Sequence, residues 1–303
     1  MPAKIKIANA PCSWGALEFD LQGQSAGYKQ VLNEMKLAGY AGTELGDWGF
    51  MPTDPQSLKK ELEERSLQLL GAFVPVALSQ EAAHKEGVER AVKTALLMKE
   101  AGFADAFIVL ADDNGSVPNR TLNAGRIMAD DSLSPQAMQV FAQGANAVAE
   151  ALLKETGMRT VFHHHCAGYI ETPAEIETLL ALTNPECLGL CFDTGHYMYG
   201  GGNNAAAFLE KHYNRIWHVH FKDFSPVVAS EARQKNRSYF ESVAAGVFCE
   251  LGKGVVDFAS VRDVLLKKAY KGWIVVEQDV LPGMGNPFQC AVNNFKFLES
   301  IAL

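Results

Sequence analysis

Eight apolar segments alternate with eight amphipathic segments along this 303-residue chain, and this alternation restricts the fold more than any other feature. The apolar segments predict strands at 4–15, 41–46, 67–78, 105–113, 159–165, 188–193, 216–222 and 273–278. The amphipathic segments predict helices at 27–38, 54–67, 81–101, 134–155, 172–182, 204–213, 256–269 and 286–301. Eight such units favour an α/β fold of the (β/α)8 TIM barrel type over an open doubly wound sheet.

The length of the chain suits one barrel of eight strand-helix units. No linker rich in Pro, Ser or charge divides the sequence, so we expect a single domain over residues 1–303. The hydrophobic content of 48% is enough to bury a large core. The segment 224–256 is too long for an ordinary connection, and it is predicted to form a lid over the barrel mouth.

Charge and cysteine content exclude several classes of partner. The net charge of −8 argues against binding to a phosphate backbone, so no nucleic acid is expected. No signal peptide or long apolar span is present, which predicts no membrane partner. The six cysteines include no CxxC pair, and we interpret them as reduced residues of a cytoplasmic protein. The subunit arrangement is left open, a homo-oligomer included.

Four predicted strands in the second half of the chain end in polar side chains. Parallel strands buried on both faces are usually apolar, and barrel active sites form at the carboxyl ends of the strands, so these exceptions indicate one site. Because side chains alternate along a strand, those of one parity point into the barrel. The predicted inward set is His163, His165, Asp193, His220, Lys222 and Glu277.

This set predicts a metal site. Imidazole and carboxylate ligands together suit a divalent ion, with Mn²⁺ or Co²⁺ expected first and Zn²⁺ as an alternative. The predicted ligands are His163, Asp193, His220 and Glu277. Two alternatives stay open, because His163 can be a hydrogen-bonded neighbour of a ligand and Glu277 can pair with a basic residue.

Three further residues near predicted strand ends are candidates for contact with a substrate. Glu44 follows the second strand, where an internal ion pair is the alternative. His196 follows Asp193 by three residues, and its alternative role is to cap a turn. Trp14 follows the first strand and can line the mouth or pack in the core.

The chain resembles the xylose isomerase-like barrel family of sugar isomerases, epimerases and dehydratases. The resemblance spans nearly the whole sequence and rests on FDTGH (192–196), HVHFKD (218–223) and VEQD (276–279). Within the family, GYAGTELG (39–46), FHHH (162–165) and VFCELGKGVVDF (247–258) are most similar to the inosose (2-keto-myo-inositol) dehydratases.

The resemblance implies which residues hold the metal and what the reaction is. Asp193, His220 and Glu277 match the family's metal ligands, whereas His163 stands where relatives have a Glu. This departure disfavours a mechanism in which two carboxylates move a proton across one carbon, and it favours a dehydratase. The expected reaction removes water from a 2-keto polyol through a metal-stabilised enolate, with His165 and Lys222 as acid and base in an order left open.

Other functions are also compatible with such a fold. A keto-sugar isomerase or 3-epimerase needs the same enolate but returns the proton. An endonuclease of this fold needs a basic surface, which the charge of −8 disfavours. A barrel that binds a sugar without catalysis is the non-enzymatic alternative.

Overall fold

A computed structural model of the protein describes residues 5–16, 26–281 and 283–303. Its strands are β1 (Lys6–Asn9), β2 (Gly42–Thr43), β3 (Gln68–Leu69), β4 (Gly71–Val76), β5 (Phe107–Asp112), β6 (Arg159–His163), β7 (Leu188–Asp193), β8 (Ile216–Phe221), β9 (Asp223–Phe224), β10 (Phe248–Cys249) and β11 (Trp273–Val276). Its helices are α1 (Tyr28–Ala38), α2 (Pro55–Glu63), α3 (His84–Glu100), α4 (Pro118–Leu122), α5 (Pro135–Thr156), α6 (Pro173–Leu182), α7 (Thr194–Tyr199), α8 (Ala205–His212), α9 (Pro226–Gln234), α10 (Tyr239–Ala244), α11 (Phe258–Lys267) and α12 (Pro287–Ser300). Short 3₁₀ turns cover 11–14, 81–83, 129–131 and 213–215.

Nine of these strands form one parallel sheet in the order β3-β2-β1-β11-β8-β7-β6-β5-β4. The strands β3 and β4 are two parts of one strand, interrupted only at Leu70. Leu70 still bridges its neighbours, because its N–H donates to the carbonyl of Thr43 and its carbonyl accepts from Phe107. The sheet therefore closes on itself with eight strand positions, which confirms the predicted TIM barrel.

Local sequence explains where the elements begin and end. Asp54 caps α2 by accepting a 2.8 Å hydrogen bond from the Ser57 N–H, and Pro55 occupies the first helical turn. The helix α1 ends at Gly39, whose φ of 105° is a conformation that glycine adopts without strain. All six residues of β7 are buried, as expected for a strand covered on both faces.

The long segment after β8 contains structure that the sequence pattern did not reveal. The short strands β9 and β10 pair antiparallel, and α9 and α10 lie between them. The Asp223 carboxylate accepts hydrogen bonds of 2.9–3.1 Å from the N–H groups of Phe224, Gly252, Gly254 and Val256. A Cβ on Gly254 would lie 2.2 Å from this carboxylate, so only glycine fits there. One side chain thus links the two ends of the segment 224–256, which we call the insertion.

A buried ion pair holds the segment between β5 and α5. Arg120 donates to both Glu175 oxygens at 2.8 and 3.0 Å, and its Nε donates to the Gly168 carbonyl at 2.7 Å. Both side chains of the pair are buried. Two donors to one carboxylate form a charge-assisted, geometrically specific contact, so this pair orders α4 against α6.

None of the helices described here is both long and apolar enough to cross a membrane. Cys166, Cys187, Cys191, Cys249 and Cys290 carry free thiols.

Candidate active site

Four side chains from neighbouring strands converge at the carboxyl end of the barrel. His163, Asp193 and His220 lie at or near the ends of β6, β7 and β8, and Glu277 directly follows β11. One potential ligand atom from each lies within 4.8 Å of the other three, and all four residues are buried. The strand register explains the convergence, since Asp193 pairs directly with His220. The structure thus brings together the four residues that the sequence predicts as metal ligands.

Three polar atoms in this group have no hydrogen-bond partner among the described residues. They are His163 Nδ1, Asp193 Oδ2 and His220 Nδ1. His220 Nδ1 lies 3.3 Å from Glu277 Oε1 but outside hydrogen-bonding geometry. Buried polar atoms without hydrogen bonds are rare and costly, and two of these atoms, His220 Nδ1 and Asp193 Oδ2, lie 3.9 Å apart. Two imidazole nitrogens and two carboxylates fit a divalent ion of the Mn²⁺, Co²⁺ or Zn²⁺ type.

Glu44 lies next to this group and determines which nitrogen of His220 faces it. The Glu44 Oε1 atom accepts hydrogen bonds from His218 Nε2 at 2.7 Å and from His220 Nε2 at 2.9 Å. Burial alone would raise the pKa of Glu44, but the two imidazoles lower it to about 2. The structure places Glu44 as the carboxylate that orients a candidate ligand, and Glu44 also lines the cleft described below, so its contact with a substrate stays a prediction.

Lys222 is buried within a group of acidic residues and an imidazole. Its Nζ lies 2.9 Å from Asp279 Oδ1, 3.1 Å from Glu277 Oε2 and 2.9 Å from His196 Nε2. Burial disfavours the charged amine, but Asp279, Asp193 and Glu277 together raise its pKa well above the ordinary value. Lys222 therefore keeps its positive charge near neutral pH.

His165 lies on the same side of the barrel as Lys222 and has a defined tautomer. Its Nδ1 lies 2.5 Å from the backbone carbonyl of Cys166, which can only accept, so the ring proton is on Nδ1. Burial lowers the pKa of His165 to about 4, so the imidazole is neutral and its Nε2 can accept a proton. The hydroxyl of Tyr239, from α10, lies 3.4 Å from this Nε2 and donates to Asp279 Oδ2 at 2.9 Å.

Two of the residues predicted to contact the substrate have buried side chains. His196 is fully buried, and its backbone N–H donates to Asp193 Oδ1 at 2.8 Å, which caps α7. Trp14 is buried in the core, and its Nε1 donates to Glu34 of α1 at 2.6 Å. Trp14 is the last residue of the 3₁₀ turn after β1. Neither residue is among the described residues that line the cleft, and both contacts stay predictions.

A cleft with an empty volume of about 450 Å³, partly open to solvent, leads to these groups. The titratable residues that line it are Cys12, Glu44, Asp47, His163, His165, Lys222, Glu277 and Asp279. Sequence reasoning missed Cys12, Asp47 and Asp279 as site residues, and it missed Tyr239. Asp279 follows Glu277 by two residues and so shares its face of the chain, a signal that was available. No comparable pattern marks Tyr239.

Comparison with known proteins assigns this chain to a family. Residues 32–299 match the model of the xylose isomerase-like TIM barrel family. The chain belongs to this family. It is 31% identical over 298 residues to inosose dehydratase of Bacillus cereus (strain AH820), covering 98% of this chain and 97% of the relative.

Solved structures of low sequence identity share the fold. The probable 3-DHS dehydratase AsbF, involved in petrobactin synthesis, from Bacillus anthracis superposes with a TM-score of 0.70 at 17% identity. That match covers 97% of this chain and 99% of AsbF. The IolI protein with a bound zinc atom gives a TM-score of 0.68 at 12% identity, covering 98% of each chain. At such identities these likenesses extend to the fold alone.

Proposed function

We propose that this protein is a metal-dependent dehydratase that removes water from a 2-keto polyol such as 2-keto-myo-inositol. The observation that carries the proposal is the arrangement of one cleft, in which the imidazole of His165 and the ammonium of Lys222 lie beside four potential metal ligands. The full-length similarity to inosose dehydratase supports the same reaction class.

The metal would be held by His163, Asp193, His220 and Glu277, with Mn²⁺ or Co²⁺ expected first and Zn²⁺ as the alternative. A bound divalent ion would supply Lewis acidity toward the ketone oxygen of the substrate. The chain itself prepares the site, because Glu44 holds the Nε2 proton of His220 and leaves Nδ1 directed at Asp193 and Glu277.

His165 and Lys222, which lie outside the candidate ligand set, carry out the proton transfers. His165 Nε2 takes the proton from the carbon next to the ketone, and the electron pair of that C–H bond forms a carbon–carbon double bond. Lys222 gives a proton to the hydroxyl on the next carbon as its C–O bond breaks, so one water leaves. Asp279 orients the ammonium of Lys222 by accepting its hydrogen bond at 2.9 Å.

The epimerase alternative is less well supported by the residues present. Moving a proton across one carbon calls for a base on each face of the substrate, which two carboxylates from opposite strands can provide. Glu277 is one such carboxylate, but the corresponding residue of β6 is His163. Burial lowers the pKa of His163 well below its ordinary value, and a neutral imidazole in a ligand position is a poor match for that second base.

The test is turnover by the metal-reconstituted protein. After chelation and addition of Mn²⁺ or Co²⁺, we expect 2-keto-myo-inositol to give a cyclic dione whose enol absorbs in the ultraviolet. His165→Ala and Lys222→Ala should each lower kcat by about 10²–10⁴-fold with metal still bound. Asp193→Ala and Glu277→Gln should lose the metal, as measured by elemental analysis, with the fold retained.

His212 is the last residue of α8, and His212→Ala is the matched control for His165→Ala. This variant should leave turnover unchanged. Accumulation of an epimerised or isomerised keto sugar without the dione would replace the dehydratase by an isomerase. Full metal occupancy in both Asp193→Ala and Glu277→Gln would discard the ligand set.

A further inference from the structure

Three of the four carboxylates that line the cleft have partners within the site. Glu44 accepts two imidazole hydrogen bonds at 2.7 and 2.9 Å. The ammonium of Lys222 lies 3.1 Å from Glu277 and 2.9 Å from Asp279. These three side chains are therefore engaged before any substrate arrives.

Asp47 is the fourth carboxylate, and its situation is different. It lies on the loop after β2, three residues beyond Glu44, and it is partly buried at the cleft. In the described part of the chain, no hydrogen bond or ion pair reaches its carboxylate. Burial raises the pKa of Asp47 to about 6, and no neighbouring charge or donor offsets this effect. A carboxylate that loses water without gaining a partner is costly unless a ligand supplies the donors.

The remaining charges of the cleft restrict what that ligand can be. Among the described residues that line it, Lys222 is the only Lys or Arg, and Asp279 and Glu277 already flank its ammonium. No basic side chain is left to pair with a carboxylate or phosphate on a substrate. An anionic group near Asp47 would instead meet a like charge, whereas hydroxyl groups donate hydrogen bonds to a carboxylate.

We infer that Asp47 forms a subsite that binds hydroxyl groups of an uncharged polyol and disfavours substrates that carry a carboxylate or phosphate. This inference rests on the proposed function and specifies its substrate class. Asp47 selects by charge as well as by hydrogen bonding. The role belongs to this side chain because the other cleft carboxylates are engaged with His218, His220, Lys222 or Tyr239.

The experiment compares a neutral and an anionic ligand on the metal-loaded protein. The probes are myo-inositol and myo-inositol 1-phosphate, whose Kd values are measured by calorimetry. The wild-type protein should bind the neutral probe more tightly. Asp47→Asn should raise the Kd for myo-inositol about tenfold, because a charge-assisted hydrogen bond is lost. The ratio of the Kd values for the two probes should therefore become smaller. The KM for 2-keto-myo-inositol should rise by a similar factor, while kcat changes less than twofold.

Asp105→Asn removes the same charge just before β5, at the opposite end of the barrel, and should change none of these values. An Asp47→Asn protein with unchanged Kd values and unchanged discrimination overturns the inference, as does a wild-type protein that does not bind myo-inositol. If the predicted Kd pattern appears but 2-keto-myo-inositol is not turned over, the subsite stands and the proposed dehydratase reaction is wrong.

Discussion

Tyr239 donates a 2.9 Å hydrogen bond to Asp279, and this contact joins the insertion between β9 and β10 to the carboxyl end of the last barrel strand. The other oxygen of Asp279 accepts from Lys222 at 2.9 Å. A helix of the insertion therefore helps to orient the amine that we propose as the proton donor.

We predict that Tyr239→Phe lowers kcat by about tenfold and changes KM and metal content little. The substitution removes one hydrogen bond to an ionised acceptor, and the loosened Asp279 holds Lys222 less well. Steady-state kinetics and elemental analysis provide the measurements. Tyr40→Phe is the matched control, because Tyr40 is equally buried but donates to the Ala291 carbonyl of α12. If kcat is unchanged in Tyr239→Phe, the hydroxyl of Tyr239 does not help to position Lys222.

Glu44→Gln is expected to weaken divalent-metal binding by about 10–100-fold without removing any candidate ligand. The amide no longer provides the charge that fixes the Nε2 protons of His218 and His220. Metal titration of the chelated protein measures the effect. Glu171→Gln serves as the control, since Glu171 is also a buried carboxylate but accepts from the backbone of Gly125 and Ala167. Equal metal affinity in both variants would contradict the orienting role of Glu44.

His163→Glu should tighten divalent-metal binding and move the chemistry from water loss toward proton return. A carboxylate is a harder ligand than imidazole and also a competent base. Metal titration and product analysis of the same preparation test the two effects together, with His163→Gln as the uncharged comparison. If neither affinity nor product distribution changes, His163 lies outside the ligand set.

Arg120→Ala is predicted to lower the free energy of unfolding by about 3–5 kcal/mol, because it leaves the Glu175 carboxylate buried without its partner. Denaturant unfolding measures the loss. The comparison is Arg90→Ala, which breaks a 2.9 Å pair with Glu86 on the exposed surface of α3 and should cost less than about 1 kcal/mol. A similar decrease in the free energy of unfolding in both variants would show that burial of the Arg120–Glu175 pair does not increase its contribution to stability.

The barrel and the convergence of polar strand ends could be predicted because both follow from short-range pattern. Apolar runs of strand length mark the strands, and the two-residue repeat places His163 and His165 on one face and His164 on the other. The structure agrees, since His164 packs against Phe192 and accepts from the Asp193 N–H. The same repeat applied to the VEQD sequence would have placed Asp279 beside Glu277.

The parts that could not be predicted depend on contacts between distant segments. Glu44 lies 174 residues before His218, and nothing local indicates that it accepts hydrogen bonds from two imidazoles. The position of Trp14 after β1 leaves open whether its side chain lines the mouth or packs in the core, and only the fold brings its indole N–H to Glu34. Tyr239 reaches the site only because α10 folds back over the barrel mouth, which depends on how Asp223 gathers the ends of the insertion.

The carboxylate of Asp223 also bears on how barrels of this kind diversify. Because its four hydrogen bonds join the two ends of the insertion to the barrel, we expect that the residues between can change in length without displacing the strands beneath. The barrel strands and most of the covering segment can therefore vary separately in sequence, with Tyr239 as the exception that contacts Asp279. A chimaera that keeps Asp223, Gly252 and Gly254 but carries another relative's 226–247 segment should retain the barrel strands, and it keeps the contact to Asp279 only where that segment supplies a tyrosine at position 239.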